Sequence, residues 1–211
     1  MPTTVTYTPE EDGNMRGQSA SSHADAVAAN GSYSLDNRGQ TAYVLAGGNY
    51  YCTRTYYRFN TTSISTDATV TSSYIQVQLG RAGGATTDAV EVHKLFASSD
   101  NSSSIVDALY QTITTTASTT TTDIGNTTDS TQQFVIDGAL LTYFNTQIAA
   151  GVKPAFILRN KGDYDVATEG NPSGVNYRRI DGTGLVSPFI SITYTTPTAV
   201  TDNATFFGAN F

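Results

Sequence analysis

The chain has 211 residues with 11 basic and 18 acidic side chains, so its formal net charge is −7. This length suits one large all-β domain, which can bury a core without a disulfide or a structural metal. The acidic balance argues against a nucleic-acid partner, and the sequence contains no apolar run long enough to span a membrane. The first residues lack the basic and apolar regions of a secretory signal, so we expect no export by that route.

The side-chain bias favours β-structure. The chain contains 35 Thr, 19 Ser, 13 Tyr and 9 Phe but no Trp. β-branched and aromatic residues prefer strands, and a disordered chain with as many hydroxyls would not carry so many aromatic rings. We therefore expect strands with one apolar face and one face rich in hydroxyl groups.

The elements predicted along the chain are mostly short strands. Residues 1–23 are polar and aperiodic and are interpreted as an N-terminal arm or loop, whose TTVTYT segment can add one strand. Glycine and asparagine at 47–49 predict a turn, and the threonine-rich residues 112–131 predict either an exposed strand or a flexible loop. Strands are predicted over 41–46, 50–59, 73–79, 89–96, 132–136, 155–159, 175–180 and 189–194.

The clearest alternation of apolar and polar residues covers 73–79 and predicts a half-buried antiparallel strand. The alternation in 89–96 does not decide which face is buried. We expect the sandwich interior to contain the apolar residues of 73–79 together with those of two closing strands. This predicted core consists of Ile75, Val77, Leu79, Phe156, Leu158, Ile190 and Ile192.

One segment changes to a helical period. Leu140, Leu141, Phe144 and Ile148 fall on one helical face. Asp137 precedes this segment as the predicted N-cap, and Gly151 follows it at the C′ position. The fold class predicted from the whole pattern is all-β, a jelly-roll β-sandwich of about nine antiparallel strands with one short helix.

No recognisable constellation of catalytic residues is present. His23 and His93 lie in no motif, and His93 is expected to be a packed or surface residue of its strand. Cys52 has no disulfide partner and no histidine close to it in sequence, so a free buried thiol is expected. The nucleophile, zinc and nucleotide signatures are missing. We therefore expect no enzyme, no cofactor and no metal centre.

Two groups of residues allow alternative interpretations. Asp163, Asp165 and Glu169 could form a carboxylate cluster for Ca²⁺ or a solvated loop, and their spacing does not match an EF-hand. Four tyrosines could form a platform that stacks on sugars, although alternating burial along one strand explains them equally well. These tyrosines are Tyr50, Tyr51, Tyr56 and Tyr57.

Three segments carry a resemblance to a known family. They are RTYYRFNTTSISTDATVTSSYIQVQL at 54–79, AFILRNKGDYD at 155–165 and SPFISITYT at 187–195. In this order they resemble the DNRLRE-type, carbohydrate-binding-module-like β-sandwich domains. The resemblance implies a jelly roll over about residues 24–196. It also implies a role like those of family members, which occur as modules of secreted bacterial proteins and as virion proteins of tailed phages. The guanidinium of Arg58 is expected to bond carboxylates or carbonyls across the sheet.

The chain departs from the secreted members of that family, because it is nearly a lone module without a signal. This favours a phage virion structural protein, such as a capsid decoration, head-fibre or tail-associated protein, located in the virion and acting by protein–protein binding. The expected partners are other virion proteins and further copies of the chain in a homo-oligomer, with no nucleic acid and no membrane. The alternative is a carbohydrate-binding module that recognises a surface polysaccharide or other surface glycan.

Residues 197–211 are expected to form a C-terminal tail beyond the closing strand. Pro197 ends the predicted sheet, and Phe206, Phe207 and Phe211 follow without a period that would bury them locally. Because aromatic residues commonly anchor protein interfaces, these three are the candidate partner-binding residues. The alternative is that the tail folds back onto its own sandwich.

Overall fold

The computed structural model describes residues 1–29, 32–34, 39–83, 92–99, 113–123, 131–169, 171–172, 175–180 and 186–197. Phe206, Phe207 and Phe211, predicted to bind a partner, lie outside the described residues.

The described strands are β1 (Thr3–Tyr7), β2 (Pro9–Ser19), β3 (Ser32–Ser34), β4 (Gly39–Ala46), β5 (Asn49–Phe59), β6 (Thr69–Gly83), β7 (Val92–Ser98), β8 (Ile113–Ala117), β9 (Thr122–Asp123), β10 (Thr131–Ile136), β11 (Ala155–Asn160), β12 (Val175–Ile180) and β13 (Phe189–Thr195). The described helices are α1 (His23–Ala28), α2 (Gly138–Ala149), α3 (Lys161–Tyr164) and α4 (Val166–Glu169).

The strands form two antiparallel sheets, which confirms the predicted all-β sandwich. The first sheet has the order β1–β13–β6–β10. In the second sheet β2 lies along one edge of β5, while β4 and β11 share the other edge. This sheet continues from β11 to β7, β8 and β9, and from β4 to β12. The long strand β6 connects the sheets, because its second half pairs with β12.

The main core lies between the two sheets, as the alternation of residues 73–79 predicts. Ile75 and Val77 are 0% and 1% exposed, whereas Tyr74 and Gln76 are only half-buried. The predicted core residues Phe156, Leu158, Ile190 and Ile192 belong to the same cluster, and the side chain of Leu79 lies outside the described part. In β7, where the sequence did not decide which face is buried, His93 and Leu95 are buried.

The strand β5 is buried on both faces, from Cys52 to Phe59. Tyr57 and Phe59 enter the main core, whereas Cys52 and Tyr56 enter a second, smaller cluster on the opposite face. Helix α1 covers that cluster with Ala26 and Val27. Two-sided burial explains why aromatic and apolar side chains occupy successive positions of this strand.

The N-terminal segment corrects the interpretation of residues 1–23 as an arm or loop. The expected extra strand is present as β1, which pairs with β13. The polar residues that follow form β2, which pairs with β5 from Phe59 back to Tyr50. Its strand character is hidden in the sequence because polar side chains of β2 find partners on β5. One example is the guanidinium of Arg16, which lies 5.0 Å from the ring centroid of Tyr51.

The predicted helix is present as α2, with Leu140, Phe144 and Ile148 buried. Gly151 follows with φ +65°, and its N–H donates to the carbonyl of Ile148 at 2.9 Å, which closes the helix end. Asp137 has the extended backbone of an N-cap, but its carboxylate makes no cap bond to the helix. The expectation of a single helix is corrected, because the described residues contain three further short ones.

Candidate functional site

A buried ionic cluster centres on Asp163, at the start of α3. The turn is fixed by Asn160, whose side-chain oxygen accepts from the N–H of Asp163 at 3.0 Å. Arg54 on β5 donates to both carboxylate oxygens, from Nε at 2.7 Å and from Nη2 at 2.6 Å. Arg159 on β11 binds the same two oxygens at 2.7 and 2.9 Å. One carboxylate thus joins two strands and a helix.

This geometry corrects the interpretation of the Asp163 segment as a solvated loop. Asp163 is 1% exposed, and both of its oxygens accept from guanidinium groups. Glu169 pairs with Lys161 at 2.5 Å. Within the described ranges, no group of three His, Cys, Asp or Glu side chains is arranged to hold a metal ion. The cluster is suited to holding elements together.

The charges in the cluster determine how Asp163 titrates. Burial alone would raise the pKa of its carboxyl group, but the charges and hydrogen bonds of Arg54 and Arg159 hold that pKa well below its usual range. Charge-assisted bidentate contacts of this kind are the strong hydrogen bonds of proteins. Asp163 therefore stays ionised in the folded chain, and Arg159 is fixed further by stacking 4.6 Å from the ring centroid of Phe96.

His23 lies beside this cluster at the beginning of α1. Ser22 caps the helix by accepting from the N–H of Asp25 at 3.1 Å, which places His23 in the first turn. The imidazole is fully buried, and burial lowers its pKa to about 4. The charge of Asp163 opposes this lowering of the pKa, whereas the charge of Arg54 adds to it. His23 is therefore neutral at neutral pH.

We expect the free energy of unfolding to fall by about 3 kcal/mol between neutral pH and pH 4 because of His23. The unfolded chain binds a proton at the ordinary histidine pKa of 6.5, whereas the folded chain does so only near 4. The stability that His23 contributes is therefore complete above pH 6.5 and is lost as the pH falls. Chemical denaturation of the wild type and of His23→Gln over this range measures the difference.

The comparison with His23→Gln removes the contributions that the two proteins share, including those of the carboxylates. The variant should show a flatter loss of stability with falling pH, even if it is less stable at neutral pH. Equal slopes in the two proteins would contradict the assignment of this pH dependence to His23.

A second ionic cluster joins β2 to β5. The guanidinium of Arg58 is buried and lies 3.3 Å from Glu10 and 3.1 Å from Glu11. Lys153 contacts Glu10 at 2.6 Å, so the segment before β11 is tied in as well. This arrangement confirms the expectation that Arg58 bonds carboxylates across the sheet. A hydrogen bond from Lys153 lowers the pKa of Glu10, whereas burial raises that of Glu11.

The other residues considered from the sequence are part of the packing. Cys52 is a buried thiol that forms no disulfide, as expected. His93 is buried as well, with its ring centroid 6.2 Å from that of Phe134. Cys52 and His93 are not neighbours, because β11 lies between their strands β5 and β7. Tyr56 and Tyr57 are fully buried, so the four tyrosines do not form a sugar platform. Burial does not alternate along β5 either, because the strand is buried on both faces from Cys52 to Phe59.

A polar surface cleft of about 480 Å³ lies where the chain crosses from β1 to β2. Tyr7 and Ser63 are joined across it by a hydroxyl–hydroxyl hydrogen bond of 2.7 Å, and Thr62 donates to the side-chain oxygen of Asn60 at 2.7 Å. Sequence analysis missed this cleft because its two segments meet only after β1 and β2 have entered different sheets. The lining residues are Thr6, Tyr7, Thr8, Pro9, Glu10, Asn60, Thr62 and Ser63.

Comparison of the chain with protein-family models finds no match, and a search of curated proteins finds none either. The likeness to DNRLRE-type domains therefore stays a prediction from the three sequence segments. Among the described helices, none has the length and apolar character needed to cross a membrane.

Proposed function

We propose that the chain is a phage virion structural protein that acts by protein–protein binding. The observation that carries this proposal is the distribution of its polar groups. Among the described residues, ionisable groups with strongly shifted pKa values are engaged in contacts within the fold: Asp163 and His23 are buried, and the half-buried Asp137 accepts hydrogen bonds from Ser118 and from the N–H of Thr119. Perturbed groups used in this way stabilise a scaffold, which supports a role in binding and assembly.

The side chains at exposed strand positions also support this proposal. In the first sheet Thr3, Thr4 and Thr6 of β1 and Thr69 and Thr71 of β6 are exposed. Hydroxyl groups keep such a surface hydrated with little charge, which suits a scaffold whose surface packs against other proteins. The resemblance to a family with tailed-phage members then favours a capsid decoration, head-fibre or tail-associated protein in the virion, with other virion proteins and copies of itself as partners.

The polar cleft favours one alternative function, a carbohydrate-binding module. Tyr7 offers an aromatic ring there, Asn60 a carboxamide and Glu10 a carboxylate. These are the groups that orient polar ligands in protein sites. Micromolar binding of a defined glycan by the isolated protein, lost in Tyr7→Ala, together with absence of self-assembly, would favour this alternative over the virion role.

Deletion of the proposed partner-binding tail tests the virion role. We propose that Phe206, Phe207 and Phe211 dock on a neighbouring virion protein. Deleting residues 198–211 should then leave the melting temperature unchanged and abolish incorporation into particles. The measurement compares the full-length and shortened chains, expressed together with the remaining particle proteins, by their amounts in purified particles.

The full-length chain carrying the same affinity tag serves as the control for expression and tagging. A shortened chain that is incorporated normally but melts several degrees lower would show that the tail packs on its own sandwich. That result would contradict the docking role of the three phenylalanines.

A further inference from the structure

The strand β1 leaves one edge of the first sheet open. It pairs with β13 through five consecutive residue pairs, from Thr3 opposite Tyr194 to Tyr7 opposite Ile190. In the part of the chain that the structure describes, no other strand pairs with it. Alternate backbone N–H and C=O groups of β1 therefore point away from β13 and are available to another strand.

Nothing in β1 protects this edge against pairing. Open edges are normally protected by charged side chains, by proline or by bulges. The segment TTVTY contains no charge and no proline, and its register with β13 has no irregularity. On the second sheet, by contrast, β8 pairs with β7 through a shifted register between Phe96 and Ser98. The β1 edge is thus suited to strand addition.

We propose that β1 pairs with β1 of a second copy of the chain, antiparallel about a two-fold axis that passes at Val5. The two first sheets then become one continuous sheet across the dimer. This inference builds on the proposed self-association of the chain and names the surface that carries it.

The side chains of β1 are complementary to themselves in this register. Val5 lies opposite Val5 of the second copy, and Thr4 lies opposite its Thr6. The threonine pairs repeat chemistry already present in the sheet, where the hydroxyls of Thr4 and Thr193 are 2.9 Å apart. Val5 and Tyr7 are half-buried at the margin of the main core, and a strand beside them would cover them further.

Charge favours a second copy over a charged partner strand. The chain has a net charge of −7, yet β1 opposes no like charges when it pairs with itself. The next charged residue is Glu10, which already belongs to the second sheet and pairs with Lys153. A charged partner strand would find no opposite charge on β1. The interface is small, so the dimer should be weak in dilute solution and strengthened where many copies are held together.

The association is tested by sedimentation of the full chain over a wide range of concentrations. The wild type should show a weight-average mass that rises towards that of a dimer. Thr4→Lys/Thr6→Lys places like charges opposite each other twice at the junction and should weaken dimerisation about tenfold. The matched control is Thr69→Lys/Thr71→Lys, which adds the same charges to exposed positions of β6, two strands away from the edge.

The register is tested by oxidation of a Val5→Cys variant. Two cysteines facing each other across the two-fold axis are close enough for a disulfide, so the variant should form a covalent dimer. Thr71→Cys, at an exposed position of β6 two strands away from this edge, is the control and should stay largely monomeric. Dimerisation that is insensitive to both lysines and gives no Val5→Cys cross-link would overturn the proposal.

Two further outcomes would also overturn it. A wild type that stays monomeric at every concentration, but dimerises after deletion of residues 198–211, would show that its own chain covers the edge. A monomer with and without these residues would show that β1 does not self-associate. Because this measurement is made in solution, either result leaves the virion role standing, and absence from particles would leave the dimer standing.

Discussion

Replacing Val77 by aspartate should leave the chain unfolded. Val77 is 1% exposed and lies in the main core between the two sheets. An unpaired carboxylate in such a place costs several kcal/mol, either as a buried charge or through the neutralisation that avoids it. Since the whole stability of a domain is only about 5–15 kcal/mol, we expect the variant to lack a cooperative melting transition in circular dichroism.

The control is the same substitution on the exposed face of the neighbouring strand. Val135 on β10 is 40% exposed, so Val135→Asp should fold and melt within a few degrees of the wild type. A soluble Val77→Asp variant with a cooperative transition would contradict the assignment of the buried face of β6.

Replacing Asp163 by asparagine should lower the free energy of unfolding by about 3–5 kcal/mol, because removal of one partner leaves buried charge uncompensated. The side chain of Arg54 is only 3% exposed and would lose its charged partner, and Arg159 would lose the same carboxylate. Denaturant unfolding followed by circular dichroism measures this loss.

Asp165→Asn is the matched control, because it changes the same residue type two positions away at a half-buried site. It should change the stability by less than about 1 kcal/mol. Similar losses in the two variants would mean that the ionic cluster around Asp163 does not hold β5, β11 and α3 together in the way described.

The sequence predicts the strands in which one period dominates. Residues 73–79 alternate strictly and form part of β6, and Leu140, Phe144 and Ile148 mark α2. The strand β2 could not be predicted in this way, because its polar side chains are matched by groups on β5 that lie far away in sequence. Tertiary pairing thus replaces the apolar period that sequence analysis depends on.

One of the two ionic clusters could be predicted from the sequence, and the other could not. Arg58 could be predicted to bond across the sheet, because a guanidinium in an apolar strand requires a partner. The contact of Arg54 with Asp163 joins residues 109 positions apart, and no local sequence pattern predicts it. The one available signal was that Asp163 follows Arg159 by four positions, a spacing that the structure uses for an ion pair.

The most direct test of the proposed function is quantitative mass spectrometry of gradient-purified particles made by the genome that encodes this chain. The virion role predicts that the chain is present at many copies per particle and remains after washing in high salt, because the proposed contacts are made by aromatic side chains and backbone groups. A chain that is absent from the particles and is found only in the lysate or in the surrounding medium would contradict it.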